Sequence, residues 1–145
     1  MSGKMFQYNI KRQNGKEDSQ VYKKCADVCR YVKESKKMPK IYDYPSVIVG
    51  CYTNYHRLYI DTSHSRPDYS SAPVLETALN DLGGIGKKRN ECKNTIGYCA
   101  EPHAALITLQ ETKQSINKLR FTTAYRPRTG EKIKYCDNCK EIFNL

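Results

Sequence analysis

Apolar positions recur at helical spacing between Asp18 and Met38, where Val21, Cys25, Val28 and Val32 share one face, with Tyr22 and Cys29 beside them. Asp18 or Ser19 is placed to cap the start of this predicted helix, and Pro39 ends it. Residues 1–17 show no such period. They are polar and rich in Gly, Lys and Asn, and are expected as a flexible N-terminal segment ahead of a folded domain over 18–145. The pattern then changes to a strand period. Pro45 to Tyr52 is apolar and β-branched, Thr53 to His56 reads as a turn, and Arg57 to Asp61 returns, which predicts a hairpin.

Thr62 to Asp68 is polar and loop-like. Pro73 to Leu82 predicts a short helix with Leu75, Leu79 and Leu82 inward and Gly83 as its stop. A central helix is expected from Cys99 to about Asn117. Pro102 suits its first turn, and Ala104, Ala105, Leu106 and Leu109 give it a small apolar face. Leu119 to Arg126 alternates as a strand does. Pro127 to Tyr135 reads as a turn-rich basic connector, and Cys136 to Phe143 as a last helix docked by Ile142 and Phe143. Helices alternating with strands over 145 residues predict a single α/β domain.

Charge narrows the partners. There are 25 basic and 15 acidic residues, a net charge of +10. Such an excess favours a polyanionic partner, nucleic acid first, because clustered cations displace the counterions of phosphates. Between residues 83 and 94, glycines with Lys87, Lys88 and Arg89 form a basic loop that is either a backbone clamp or a solvated linker. It lacks the spacing of a phosphate-binding P-loop. No segment is long and apolar enough to enter a membrane, and the N-terminus lacks the apolar run of a signal peptide. Seven cysteines, an odd number, fit metal binding in a reducing compartment better than a disulfide framework.

The chemistry concentrates in two short stretches: Cys99-Ala100-Glu101-Pro102-His103, and Cys136-Asp137-Asn138-Cys139. Three thiolates from Cys99, Cys136 and Cys139 make a zinc site with one open position, the catalytic rather than the structural pattern. Glu101 lies two residues beyond a ligand, in the first turn of a helix, where its carboxylate can face a water at that position and move its proton. Other assignments exist for the parts. A lone Cys-x-x-Cys is also a redox pair or half a zinc ribbon, and a closed structural site would recruit Cys92 or His103 as a fourth ligand. His103 is also readable as a buried, hydrogen-bonded histidine near the site. Cys25 and Cys29 are four apart on one helical face and are read as small core residues.

The pairing of Cys-x-Glu with a later Cys-x-x-Cys resembles the zinc-dependent nucleobase deaminases. Tyr135 stands where that family normally carries proline. The resemblance implies a cytidine deaminase-like three-layer α-β-α sandwich, here a minimal form with a small mixed sheet flanked by helices. It implies Zn2+ as cofactor, Glu101 as the proton carrier, and conversion of cytosine to uracil in single-stranded nucleic acid or on a flipped base. It also makes His64, in the segment after the second strand, a candidate to stack on or hydrogen-bond a base, the other reading being a solvent-exposed loop histidine. His103, Tyr125 and Tyr135 are further candidates for base contacts, and Arg126 and Arg128, with Lys132 and Lys134, for phosphates. The short form and basic charge are similar to deaminase domains of bacterial polymorphic toxins, the YwqJ-like branch in particular. That likeness implies a domain carried by a larger secreted protein, acting in the cytoplasm of a target cell and blocked by a cognate immunity protein. Two other functions are compatible with the residues: deamination of free cytidine or a nucleotide, and a non-catalytic, zinc-stabilised nucleic-acid-binding module.

Overall fold

The computed structural model describes residues 2–54, 57–64, 67–90 and 92–145, with side chains described from residue 15 onward. Strand β1 (Ile48–Tyr52) is buried along its whole length, as a strand covered on both faces must be. Its side chains alternate between two cores. Ile48 packs with Val21, Cys25 and Tyr125, while Val49 and Cys51 pack with Leu75, Ala100 and Ala104. Helix α1 (Ser2–Ser35) therefore covers one face of the sheet. Helices α2 (Pro73–Leu82), α3 (Ala100–Thr112) and α4 (Asp137–Phe143) pack on the other. Gly50 permits α1 its close approach: a Cβ there would come within 2.6 Å of Leu58 Cδ1 and 2.9 Å of Val21 Cγ2.

On one edge of β1 lies β2 (Tyr59–Thr62), antiparallel, with Ile48 opposite Thr62 and Cys51 opposite Tyr59. The expected hairpin is present, and its predicted tip at Tyr55 and His56 lies outside the described residues. On the other edge the strand predicted over 119–126 is divided into β3 (Arg120–Phe121) and β4 (Ala124–Arg126). Cys51 pairs with Phe121, but Ile48 pairs with Tyr125, so one extra residue enters between the two pairings. This is a β-bulge at Thr122 and Thr123. Thr122 closes it by donating its N–H to Gly50 O at 3.0 Å and accepting the Gly50 N–H on Oγ1 at 2.9 Å.

The basic connector is structured as well. Glu131–Ile133 forms β5, paired antiparallel with β4 so that Ala124 faces Ile133 and Arg126 faces Glu131. The sheet is thus antiparallel at every described pairing, not mixed, because hairpins and the antiparallel return onto β1 build it without a parallel crossover. In the hairpin turn, Arg126 O accepts from Thr129 N and Gly130 N at 3.2 and 2.7 Å. Gly130 adopts φ +74°, the left-handed conformation such a turn needs.

Two helix boundaries also differ from the sequence reading. α1 carries helical backbone from Ser2, through the segment expected to be flexible. Its Lys, Arg, Gln and Glu residues are good helix formers even without an apolar face. Asp18 consequently lies inside the helix and is no cap. Its carboxylate instead reaches the bulge, accepting from Thr123 N–H and Thr123 Oγ1 at 2.7 and 2.8 Å. α3 stops at Thr112, short of Asn117, where Lys113 turns left-handed at φ +58° and donates its N–H to Leu109 O. Among the described residues, no helix is long and apolar enough to cross a membrane.

Candidate metal centre

Two helix N-termini meet at the end of the sheet. Cys99 is the residue that opens α3, and Cys136 opens α4, with Cys139 in the first turn of α4. Both helices favour negative charge at these positions, through their dipoles and free N–H groups. Cys136 Sγ lies 3.5 Å from Cys99 Sγ and 3.5 Å from Cys139 Sγ. All three sulfurs fall within 4.8 Å of one another. These are not disulfide separations, which are about 2.05 Å. Tetrahedral zinc with Zn–S bonds of about 2.3 Å sets its sulfurs about 3.8 Å apart, so the triad needs only a small expansion to fit the ion. Among the described residues neither Cys92 nor His103 joins the cluster.

The thiols are already polarised against one another. Contacts with the sulfurs of Cys139 and then Cys99 hold the Cys136 thiol far below its usual range, and contact with Cys136 raises both Cys99 and Cys139. Glu101, in the first turn of α3, is only 4 % exposed. Its Oε2 accepts from Cys139 Sγ at 3.2 Å. Burial pushes the carboxyl above its ordinary range. Glu101 lines a cavity of about 220 Å³ together with Cys99, Cys136, Ser46, Tyr98 and Lys134. The arrangement thus combines three cysteines that could hold a metal ion with a buried carboxylate, and Cys99, Cys136 and Glu101 line one small cavity.

Asn138, between the two cysteines of α4, locks the centre to the preceding loop. Its Oδ1 accepts from Arg89 Nε at 2.7 Å, and its Nδ2 donates to Asn94 O at 3.0 Å. Arg89 also pairs with Glu141 at 2.7 Å. The loop itself is tied by Gly86 N–H to Ile96 O and Ile96 N–H to Lys87 O, both at 2.9 Å. Of the loop cations, Arg89 therefore works inside the fold, while Lys87 and Lys88 are exposed. Among the described residues Cys25 and Cys29 join no metal cluster: their thiols donate to Val21 O and Pro127 O.

The other predicted site residues are spread around the centre. His103 is buried, and its Nδ1–H donates to Thr62 O at 3.0 Å, while Nε2 has no hydrogen-bond partner among the described residues. Burial holds its pKa down. The ring stacks on His64 at 4.0 Å, and His64 lies 3.5 Å from Asp61 on the surface. Neither histidine lines the cavity. Tyr125 lies on the α1 face of the sheet, edge-on to Tyr22 at 5.5 Å. Tyr135 donates its hydroxyl to Thr122 O at the bulge and packs into the α3-side core. Arg126 and Arg128 line a neighbouring groove, and of the basic candidates Lys134 reaches the cavity wall. Sequence reasoning missed Ser46, Asn94, Thr95 and Tyr98. Only Tyr98 carried a signal, its adjacency to Cys99. No protein family, curated protein or solved structure matches the chain.

Proposed function

We propose that this chain is a zinc-dependent deaminase that converts cytosine to uracil in nucleic acid. The observation that carries the reading is the buried carboxylate of Glu101, set against the Cys99, Cys136 and Cys139 triad at a cavity wall. Cys99, Cys136 and Cys139 hold the zinc, which when bound supplies Lewis-acid activation of a water. Glu101 accepts the water's proton as the oxygen bonds to C4 of the base. It passes that proton to the adjoining ring nitrogen, then carries the proton of the new C4 hydroxyl to the exocyclic amine as the C4–N bond breaks and the C4 carbonyl forms. Cytosine and water thus yield uracil and ammonia. Tyr98 at the cavity mouth offers a ring for the base to lie on, and Ser46 and Lys134 offer polar contacts.

The order of helix, antiparallel hairpin, Glu101 helix, strand and Cys-x-x-Cys helix, with helices on both sheet faces, supports a minimal cytidine deaminase-like sandwich. Tyr135, in place of the family's proline, anchors the turn into α4 by its hydrogen bond to Thr122 O instead of by a fixed φ. A base within a duplex is unreachable, so the substrate is a single strand or a flipped nucleotide. The toxin reading belongs to the same proposal: a domain delivered by a larger secreted protein into a target cytoplasm, with an immunity protein covering the cavity. A closed structural zinc site is disfavoured by the lack of a fourth ligand among the described residues.

The test is a single-stranded oligonucleotide bearing one cytosine, incubated with zinc-loaded protein and analysed by mass spectrometry. The expected product is uracil, formed by the wild type and not by Glu101→Gln. Conversion of free cytidine with no conversion of the oligonucleotide would replace the polymer with a small-molecule substrate.

A further inference from the structure

Beside the metal centre lies a second groove of about 170 Å³, lined by Ile41, Tyr44, Pro45, Ser46, Arg126 and Arg128. Ser46 lines both this groove and the cavity that holds Glu101, so the two are neighbours. Arg126 alternates with Tyr125 along β4, which turns it to the same sheet side as Ala124 and the metal-site helices. Its Nε is buried with no hydrogen-bond partner among the described residues. Neither Arg126 nor Arg128 forms an ion pair among the described residues, although Glu131 faces Arg126 across the hairpin. The acidic group nearest in sequence to the groove, Asp43, is engaged by Lys36 and by the Lys40 N–H.

Both arginines are held in place. The turn carrying Arg128 is closed by two N–H bonds to Arg126 O, and Cys29 of α1 donates its thiol to Pro127 O at 3.1 Å. A partly buried guanidinium with an unsatisfied Nε invites a bidentate acceptor, and phosphate is the acceptor its fork matches. Tyr44 and Ile41 add an aromatic and an apolar surface next to it.

We propose that the Arg126–Arg128 groove binds the backbone phosphodiester adjoining the nucleotide whose base enters the Glu101 cavity. This rests on the deaminase reading for the identity of that base, but the groove's own ligand is single-stranded nucleic acid. A free nucleoside has no phosphate to place there, and a mononucleotide has no phosphodiester.

The test is fluorescence anisotropy with labelled single-stranded DNA and RNA of about 12 nucleotides, within the usual site size for such binders. Zinc-loaded protein carrying Glu101→Gln is used to prevent turnover. Adding Arg128→Gln is expected to weaken binding about tenfold and to lower the slope of log Kd against log salt by about 0.7 for each phosphate no longer neutralised. Arg126→Gln, checked for an unchanged melting temperature, is expected to do the same. Lys118→Gln, at an exposed turn remote from the groove, is expected to change affinity less than about twofold. Wild-type affinity and salt slope in the Arg128→Gln protein would overturn the proposal. So would equal competition by a polyglutamate peptide, which would reduce the groove to a general anion surface. If Arg128 governs binding while the wild type yields no uracil, the groove stands and the deaminase reading falls.

Discussion

Glu101 is a carboxylate kept almost wholly from water beside three thiols, a position that raises the free energy of its charged form. A purely structural role would give little reason to bury it. Replacing it with glutamine is expected to reduce turnover at least ~10²-fold. The same change is expected to leave zinc content intact and the melting temperature unchanged or raised, since a buried charge is removed. Retained turnover, or loss of the metal, would remove Glu101 from the chemistry. Asn138 makes a contrasting case. Asn138→Ala leaves Arg89 Nε and Asn94 O short of partners and is expected to cost about 2–3 kcal/mol in urea unfolding. The clustering of Cys99, Cys136 and Cys139 with Glu101 beside them was legible in the sequence because it follows from two short stretches of local spacing. Asn138 was not, because its partners lie 44 and 49 positions away and only the fold brings them together.

At the scale of elements, the hairpin of β1 and β2, the helix α2 and the short α4 follow their sequence periods closely. The strand over 119–126 reads as continuous because alternation survives on both sides of the bulge. The inserted residue becomes visible only in the register against β1. β5 escaped notice because Pro127, Thr129 and Gly130 dominate its neighbourhood and Ile133 is the sole aliphatic residue of the strand. The seating of α1 depends on one absent side chain. Gly50→Ala would place a methyl group against Leu58, Val21 and Thr122 Cγ2, the last at 3.0 Å. Overpacking of this kind costs about 1–3 kcal/mol. Thermal unfolding should show that loss, and Gly50→Val a larger one. An unchanged melting temperature in both would mean that α1 does not sit closely on this face of the sheet.

For the whole molecule, two sheet faces and one cysteine triad define the design. Helix α1 closes one face, while the helices on the other bring two N-termini and three cysteines to a common point. A zinc ion held by the triad would join two segments separated by 37 residues, and its removal should loosen α4 from α3. Elemental analysis is expected to find about one zinc per chain, with Cys136→Ser reducing it below about a tenth of that. Chelation should lower the melting temperature as well as turnover, and readdition of zinc should restore both. A chain that binds no zinc, or is unaffected by losing it, would contradict the centre. The most direct measurement is sequencing of genome and transcriptome from bacteria lacking uracil repair, expressing either wild type or Glu101→Gln. The expected result is cytosine-to-thymine changes in DNA, or cytosine-to-uracil changes in RNA, in the wild type alone. Indistinguishable base changes in the two strains, with zinc bound in both proteins, would contradict nucleic-acid deamination by this site.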